Sequence, residues 1–327
     1  MLQAVAAAAS VRHATSPNPW VGAVVVADGV IVGTGATGPP GGPHAEINAL
    51  ADAGASARGA TLYTTLEPCD HQGRTGPCTE AILGAGIARV VVGVTDPDPE
   101  VSGRGTARLR KDGIDVLEGV AAAEVAEQLA AYLHQRRTRR PYVVLKLAAT
   151  LDGRIAAPDG SSAWITGAEA RADVHRLRAE SDAVCVGAGT VRLDDPALTV
   201  RDWSSSRGGP VVDPRRIVLG SVAGDARVQP AETHEGPLED LLDRLGAEGV
   251  LQLLVEGGAD VAGRFHRAGL VDRYVVYLAP ALLGGDDGRP LLAGPGAPTM
   301  AELRRGRFAS VVALGDDLRL DLVLDGS

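Results

Sequence analysis

Short apolar runs recur along the whole chain, and each is closed by a turn rich in Gly, Pro, Asp or Asn. "WVGAVVVADGVIVGTG", "ATLYTTL" and "ARVVVGV" fall in the first 95 residues, and "YVVLKLAAT", "DAVCVG", "RRIVLG", "GVLQLLVEGG" and "DRYVVYLA" follow after residue 140. Runs this short and this continuous suit strands buried on both faces. Between them lie stretches of helical spacing, such as Ile47, Leu50 and Ala51 in "HAEINALADAGA". Strands that alternate with helices predict an α/β layered sheet with helices on its faces. The pattern breaks once, at the basic run "HQRRTRR" (134–140) and Pro141, then restarts. A chain of 327 residues accommodates two domains, and we place them at 1–140 and 141–327.

The first block reads as an amphipathic helix over 1–10, a hairpin turning at Asp28-Gly29, and a helix from "HAEINALADAGA". A strand, a helix over "TEAILGAGI", another strand, the loop "DPDPEVSGRG", a short strand "IDVLEGV" and a helix over 121–134 complete it. The basic run reads as a solvated linker in preference to an anion site. Residues 202–216 and 222–237 read as irregular surface loops.

A formal charge of −9 and 3% aromatic content disfavour a nucleic-acid partner, which recruits basic surfaces and stacking rings. No apolar run approaches the length of a membrane helix. The opening alanine-rich stretch has no basic residue before it, so a signal peptide is not expected. Three cysteines, an odd number, point to the reducing cytoplasm. There a close cysteine pair is more often a metal site than a disulfide.

Two of the three cysteines, Cys69 and Cys78, bracket "PCDHQGRTGPC", and "PHAE" supplies His44 and Glu46. One imidazole and two thiolates suit zinc, and three protein ligands leave a fourth position for water. His-x-Glu followed by Pro-Cys is the signature of zinc deaminases, in which the Glu is general acid/base and not a ligand. Positions two apart on a regular helix point to opposite sides, so His44 is expected at the helix entry after Pro43. Cys78 is expected at the start of the next helix, where the dipole favours thiolate. Either half of the motif alone recurs by chance; together, each beginning a predicted helix, they specify the chemistry.

"TSPNPWVGAVVV", "GGPHAE", "TLEPCDHQGRTGPC" and "DPDPEVSGRG" together resemble the deaminase half of the bifunctional riboflavin-biosynthesis deaminase/reductases. The resemblance implies a cytidine-deaminase-like α/β/α layered domain, with Asn18, His71 and Asp96 contacting the pyrimidine or its ribose phosphate. His71, Gly73 and Arg74 lie within the eight residues between the cysteines, where most zinc nucleoside deaminases have two. The chain departs from the family at Gly76, where a second proline is common, and at Asp98, where Asn is frequent.

In the second block, Lys146 is one of two lysines against thirty arginines and lies inside an apolar strand. It serves either a specific polar task or packs its stem with the head turned outward. "VEGGADVAGRF" is a strand, a glycine pair and a helix, a junction that offers free N–H groups to a phosphate. Arg178 and Arg201 are candidate phosphate holders or surface residues. "KLAATLDGRI", "SSAWITG", "GAGTVRLDDPALTVR", "LVEGGADVAGRF" and "YLAPALLGG" resemble the reductase half of the same family. This implies a dihydrofolate-reductase-like α/β domain that uses NADPH. The resemblance assigns Ala148, Trp164, Thr190, Asp194, Ser221, Gly258, Ala259, Asp260, Val261, Ala262, Gly263 and Arg264 to the cofactor. It assigns Lys146, Ser162, Arg178, Leu198, Arg201 and Glu256 to the substrate. Gly220-Ser221 stands where Asp-Ser is common.

The function implied is deamination of 2,5-diamino-6-ribosylamino-4(3H)-pyrimidinone 5′-phosphate, then reduction of its ribosyl group to ribityl. The partner is this small pyrimidine ribotide, and the family suggests a homo-oligomer. Rival readings are a zinc deaminase of another nucleotide or nucleic-acid base, with a second domain of different or lost activity, and a non-enzymatic zinc module. The second block and the acidic charge oppose the former; a closed metal site with no role for Glu46 would mark the latter.

Overall fold

The first two apolar runs fold back on each other at Asp28-Gly29. In the computed structural model of the chain, which describes residues 1–72, 76–99, 101–205 and 211–325, these runs are the strands β1 (Gly22–Ala27) and β2 (Val30–Ala36). They pair antiparallel, and both turn residues have positive φ, 51° and 78°. That geometry matches the twist of a two-residue hairpin loop. Two units can be distinguished, Met1–Arg140 with Ser204–Val211 and Pro141–Trp203 with Val212–Ser327.

The first unit begins with α1 (Leu2–Ala9) and α2 (Arg12–Thr15), and after the hairpin continues with α3 (Ala45–Ala53), β3 (Thr61–Leu66), α4 (Cys78–Ala85) and β4 (Arg89–Val94). It ends with α5 (Arg104–Lys111), β5 (Asp115–Glu118), α6 (Ala122–Gln128) and α7 (Ala130–Thr138). The sheet runs β2-β1-β3-β4-β5, antiparallel around β1 and parallel from β3 to β5. A Cβ on Gly22 would collide with the backbone of Ala4 and Ala8 in α1. One on Gly33 or Gly35 would collide with the backbone of α3. Gly22 is paired with Ala36, and Gly35 with Ala23, so the two glycine sites face opposite sides of the sheet. The unit is therefore an α/β/α sandwich, with α1 and α3 seated directly on the strands.

Three expectations change here. The helix expected over 121–134 is two helices, parted at Leu129 (φ −95°, ψ 12°). The basic run is not a linker: α7 carries it as far as Thr138, because Arg136 packs 5.0 Å over the Tyr132 ring and 3.6 Å from Asp98. The loop "DPDPEVSGRG" enters α5, whose single buried large apolar residue, Leu109, gives the sequence no helical period to read.

The second unit contains β6 (Tyr142–Thr150), β7 (Arg154–Ala156), α8 (Ala168–Ala179), β8 (Ala183–Gly187), α9 (Ala188–Asp194), β9 (Arg215–Leu219) and β10 (Glu232–His234). Then come α10 (Leu238–Ala247), β11 (Gln252–Val255), α11 (Ala259–Ala268), β12 (Arg273–Ala279), β13 (Arg289–Pro290), β14 (Gly306–Leu314) and β15 (Asp317–Leu324). Eight strands form a sheet in the order β10-β9-β8-β11-β6-β12-β15-β14, parallel from β10 to β12 and antiparallel beyond. Leu145, Cys185, Ile217 and Leu253 from its strands pack with Leu241, Leu245 and Phe265 from α10 and α11. Residues 222–237 are not wholly irregular, since "ETH" forms β10; three residues, mostly polar, leave no apolar run to detect. No helix among the described residues is long and apolar enough to cross a membrane.

The close seating of α3 predicts that Gly35→Ala lowers stability by about 2–3 kcal/mol through overpacking. Gly84→Ala, in α4 with open space around the new methyl group, should instead stabilise by about 0.5 kcal/mol. Thermal or denaturant unfolding of the two variants reads the contrast directly.

Candidate functional site

In the first unit three chain segments meet at one point. His44 is the residue before the first turn of α3, in extended conformation (φ −72°, ψ 164°), so it lies outside the helix that holds Glu46. This resolves the spacing problem of His-x-Glu. Cys69 follows the end of β3, and Cys78 is the first residue of α4. The His44 Nδ1 atom lies 3.2 Å from the Cys78 sulfur and 3.5 Å from that of Cys69. The Cys78 backbone N–H donates to the Cys69 sulfur at 3.5 Å. The three ligand atoms all lie within 4.8 Å of one another, and among the described residues no fourth His, Cys, Asp or Glu joins them. One nitrogen and two sulfurs, inward-facing and three in number, fit a zinc ion with an open position.

The electrostatics agree. The hydrogen bond from the Cys78 thiol, helped by His44, pulls Cys69 down to about 4 against its burial. Sharing that proton pushes Cys78 upward. The bond to Cys69 raises His44. Glu46 is only 4% exposed, and burial, then the neighbouring Cys69 charge, lifts its carboxyl to about 7. A carboxyl that titrates near neutrality can both accept and return a proton.

Asp96 is also buried, just beyond β4. Its carboxylate accepts the Asp98 N–H at 2.9 Å and the Tyr132 hydroxyl at 3.0 Å, and burial raises its pKa. Asn18 is half-buried in the turn before β1, where its N–H donates to the Thr15 carbonyl. His71 is exposed between the cysteines, and Gly73 and Arg74 lie outside the described residues. At Gly76 a Cβ would meet no atom within 4 Å, so nothing there demands glycine.

In the second unit, Val255 pairs with Leu145, which brings the next residues, Glu256 and Lys146, to the same level of adjacent strands. Arg178 on α8 donates to both oxygens of Glu256, at 2.6 and 3.0 Å, and to the Thr199 carbonyl at 3.1 Å. Burial lowers the Lys146 pKa. Leu198 is buried with φ 54°, and the Arg201 N–H reaches His175 Nδ1 at 3.1 Å. Arg178, Leu198, Arg201 and Glu256 are thus gathered around one cluster. His175 belongs to it and was missed in the sequence; its signal was the three-residue spacing to Arg178, which places both on one helix face.

The ends of β8, β9 and β11 meet beside this cluster. A Cβ on Gly258 would lie 3.7 Å from the Thr190 hydroxyl, which sets the starts of α9 and α11 together. Gly220 has φ 99° and approaches Ala188, so this position suits glycine and leaves Ser221 exposed beside the same edge. Ligands of open α/β sheets bind outside such carboxyl ends. Val261 and Ala262 are core residues and offer a ligand only backbone, while Asp194, Asp260 and Arg264 are exposed. Ala148 is half-buried on β6 and Ser162 half-buried before Trp164, an exposed ring under the Arg171 guanidinium at 4.7 Å.

These two sites on two α/β units define a metal-dependent base deaminase joined to a nucleotide-dependent reductase. The profile for the cytidine and deoxycytidylate deaminase zinc-binding region matches residues 1–94, and that for the RibD C-terminal domain matches residues 141–320. The riboflavin biosynthesis protein RibD of Escherichia coli K12 is 42% identical, over 99% of this chain and 98% of its own. That of Mycobacterium tuberculosis is 43% identical, over 96% and 93%. Among solved structures, Acinetobacter baumannii RibD (form 1) matches with a TM-score of 0.90 at 38% identity, over 99% of this chain and 97% of that one. A Thermotoga maritima diaminohydroxyphosphoribosylaminopyrimidine deaminase/5-amino-6-(5-phosphoribosylamino)uracil reductase matches at 0.87 and 34%, with the same coverage. The chain belongs to the RibD family, the bifunctional deaminase/reductases of riboflavin biosynthesis, whose cofactors are zinc and NADPH.

The Glu256–Arg178 pair predicts a pH dependence. Burial works against the Glu256 charge, but Arg178 and then Lys146 outweigh it and hold the pKa below its ordinary value. The pair therefore stabilises the fold above the unfolded carboxyl value and is lost as pH falls through the lower folded value. Glu256→Gln should lower the unfolding temperature of the second unit at pH 7 and shrink its further drop on acidification to about pH 3, as read by thermal melts at both pH values.

Proposed function

We propose that the first unit, residues 1–140, removes the 2-amino group of 2,5-diamino-6-ribosylamino-4(3H)-pyrimidinone 5′-phosphate. The second, residues 141–327, reduces the ribosyl group of the product to ribityl. The observation that carries the deaminase reading is the convergence of His44, Cys69 and Cys78 with the buried carboxyl of Glu46 beside them. The Thermotoga relative is described as a deaminase and then a reductase of the uracil that such deamination yields, which supports the order.

Zinc, when bound, supplies the Lewis acidity that makes water a nucleophile at neutral pH. His44, Cys69 and Cys78 hold it. Glu46 takes the proton that the attacking water gives up and returns it to the departing ammonia. Asn18, His71 and Asp96 orient the pyrimidine and its ribose phosphate. In the second unit NADPH supplies the hydride. The α11 start at Gly258, Ala259 and Asp260, with Thr190, Asp194, Ser221, Trp164, Ala148 and Arg264, binds it. Arg178, Arg201 and Lys146 place positive charge around the substrate phosphate and ribose, with Glu256 fixing Arg178 and with Ser162 and Leu198 lining the site.

The same reading makes this a cytoplasmic enzyme of a small-molecule substrate that assembles with copies of itself. Support for self-assembly comes from the sheet edge of the second unit, where Phe308, Val311 and Val312 on β14 and Leu318 on β15 are exposed apolar side chains.

Zinc-loaded protein given the diaminopyrimidinone ribotide should release ammonia without NADPH, and should oxidise NADPH once it is added. Glu46→Gln should lower ammonia release by about 100-fold or more, while NADPH oxidation on the already deaminated substrate stays unchanged. No ammonia from the zinc-loaded protein overturns the deaminase reading, and unchanged release from the variant overturns the proton shuttle.

A further inference from the structure

Glu67 sits between the end of β3 and the zinc-site cysteine, two residues before Cys69, and is 4% exposed. Its side chain reaches the segment that follows β4 and the start of α5. One carboxylate oxygen accepts the Gly105 N–H at 3.0 Å and the Thr106 N–H at 3.3 Å. The other accepts the Gly103 N–H at 2.9 Å and the Asp96 N–H at 3.4 Å. Gly105 and Thr106 open α5, so two donors that a helix start leaves without an intrahelical partner are met by a carboxylate from outside the helix. Its own first turn contains no acidic residue. The next residue tightens the contact: a Cβ on Gly105 would collide with the Pro68 carbonyl oxygen, so the backbone of α5 lies directly on that of Pro68.

We infer that Glu67 is a positioning residue of the deaminase, which sets Asp96 and the start of α5 at a fixed distance from the zinc ligands. This rests on the reading that Asp96 touches the substrate. Asp96 is tied at its backbone to Glu67 and at its carboxylate to Tyr132. Cys69, two residues along from Glu67, is tied to the metal cluster. One side chain therefore spans the gap between the group that binds the pyrimidine and the group that holds the reacting centre. Four backbone donors face the two oxygens, and an amide can satisfy only the pair that its carbonyl oxygen faces. In Glu67→Gln the other pair meets an NH₂ group and is left unpaired. Glu67→Asp keeps the charge but is one methylene too short to reach both sides.

The test uses the full-length zinc-loaded protein, with ammonia release for kcat and KM, zinc content per chain, and reductase activity on the deaminated substrate as a folding control. Glu67→Gln and Glu67→Asp should each raise KM for the diaminopyrimidinone ribotide by about tenfold, with kcat within about threefold, full zinc content and unchanged reductase activity. Asp96→Asn is measured alongside. If Asp96→Asn raises KM and neither Glu67 variant does, the positioning role is overturned. Loss of zinc or of kcat with KM unchanged in the Glu67 variants also overturns it, because Glu67 then supports the metal loop alone. If Asp96→Asn leaves KM unmoved, the substrate reading of Asp96 fails, and a rise in KM confined to the Glu67 variants separates that failure from this one.

Discussion

Parallel strand pairing governs where this protein can do chemistry. A parallel neighbour can be reached only by a crossover, so successive strands leave the sheet at the same edge and enter helices there. β3 and β4 in the first unit, and β8, β9, β11 and β6 in the second, are joined this way. The strand ends then collect side chains that are far apart in sequence. Cys69 and Asp96 follow β3 and β4; Thr190, Ser221 and Glu256 follow β8, β9 and β11. Helix starts at the same edge add unpaired N–H groups and a positive dipole end. The antiparallel strands β1, β2, β14 and β15 complete the sheets but carry none of these groups.

Burying charge at such an edge requires partners, and the two units supply them differently. In the second, Glu256 is met by a guanidinium in a two-pronged pair, with Lys146 at the same level of the next strand. A planar fork matches a carboxylate in a way an ammonium does not, which fits a chain that uses arginine almost throughout. In the first unit the partners are dipoles. Asp96 and Glu67 are both held by backbone N–H groups, with Tyr132 added for Asp96. Glu46 has little of either kind of support, and its proton is correspondingly easy to keep at neutral pH. Separate environments thus hold nearby carboxyl groups in different electrostatic states.

Most of this was legible in the sequence where the signal was local. Apolar runs marked the central strands, Asp28-Gly29 marked the hairpin, and His44, Glu46, Cys69 and Cys78 marked the metal site because helix-start chemistry writes itself in a few adjacent residues. The helix α5 was not legible: Leu109 is its only buried large apolar side chain, and its first turn is satisfied by Glu67, 38 residues before Gly105 in the chain. The extension of α7 through the basic run was hidden for a related reason. Arg136 packs on Tyr132 one turn back, and the partner that completes the contact, Asp98, is distant in the chain and announced by no local pattern. His175 escaped because its three-residue spacing to Arg178 is a weak signal until Arg201 is seen beside it.

The Asp98–Arg136 pair ties the segment after β4 to α7. At position 98 this chain places a charge, and α7 answers it with a guanidinium that also covers Tyr132 and so reaches the partner of Asp96. A neutral side chain at position 98 would take the nearer anion from that guanidinium and loosen its hold on the ring beneath it. Asp98 and α7 are therefore coupled positions, and replacing one alone disturbs the packing of the other.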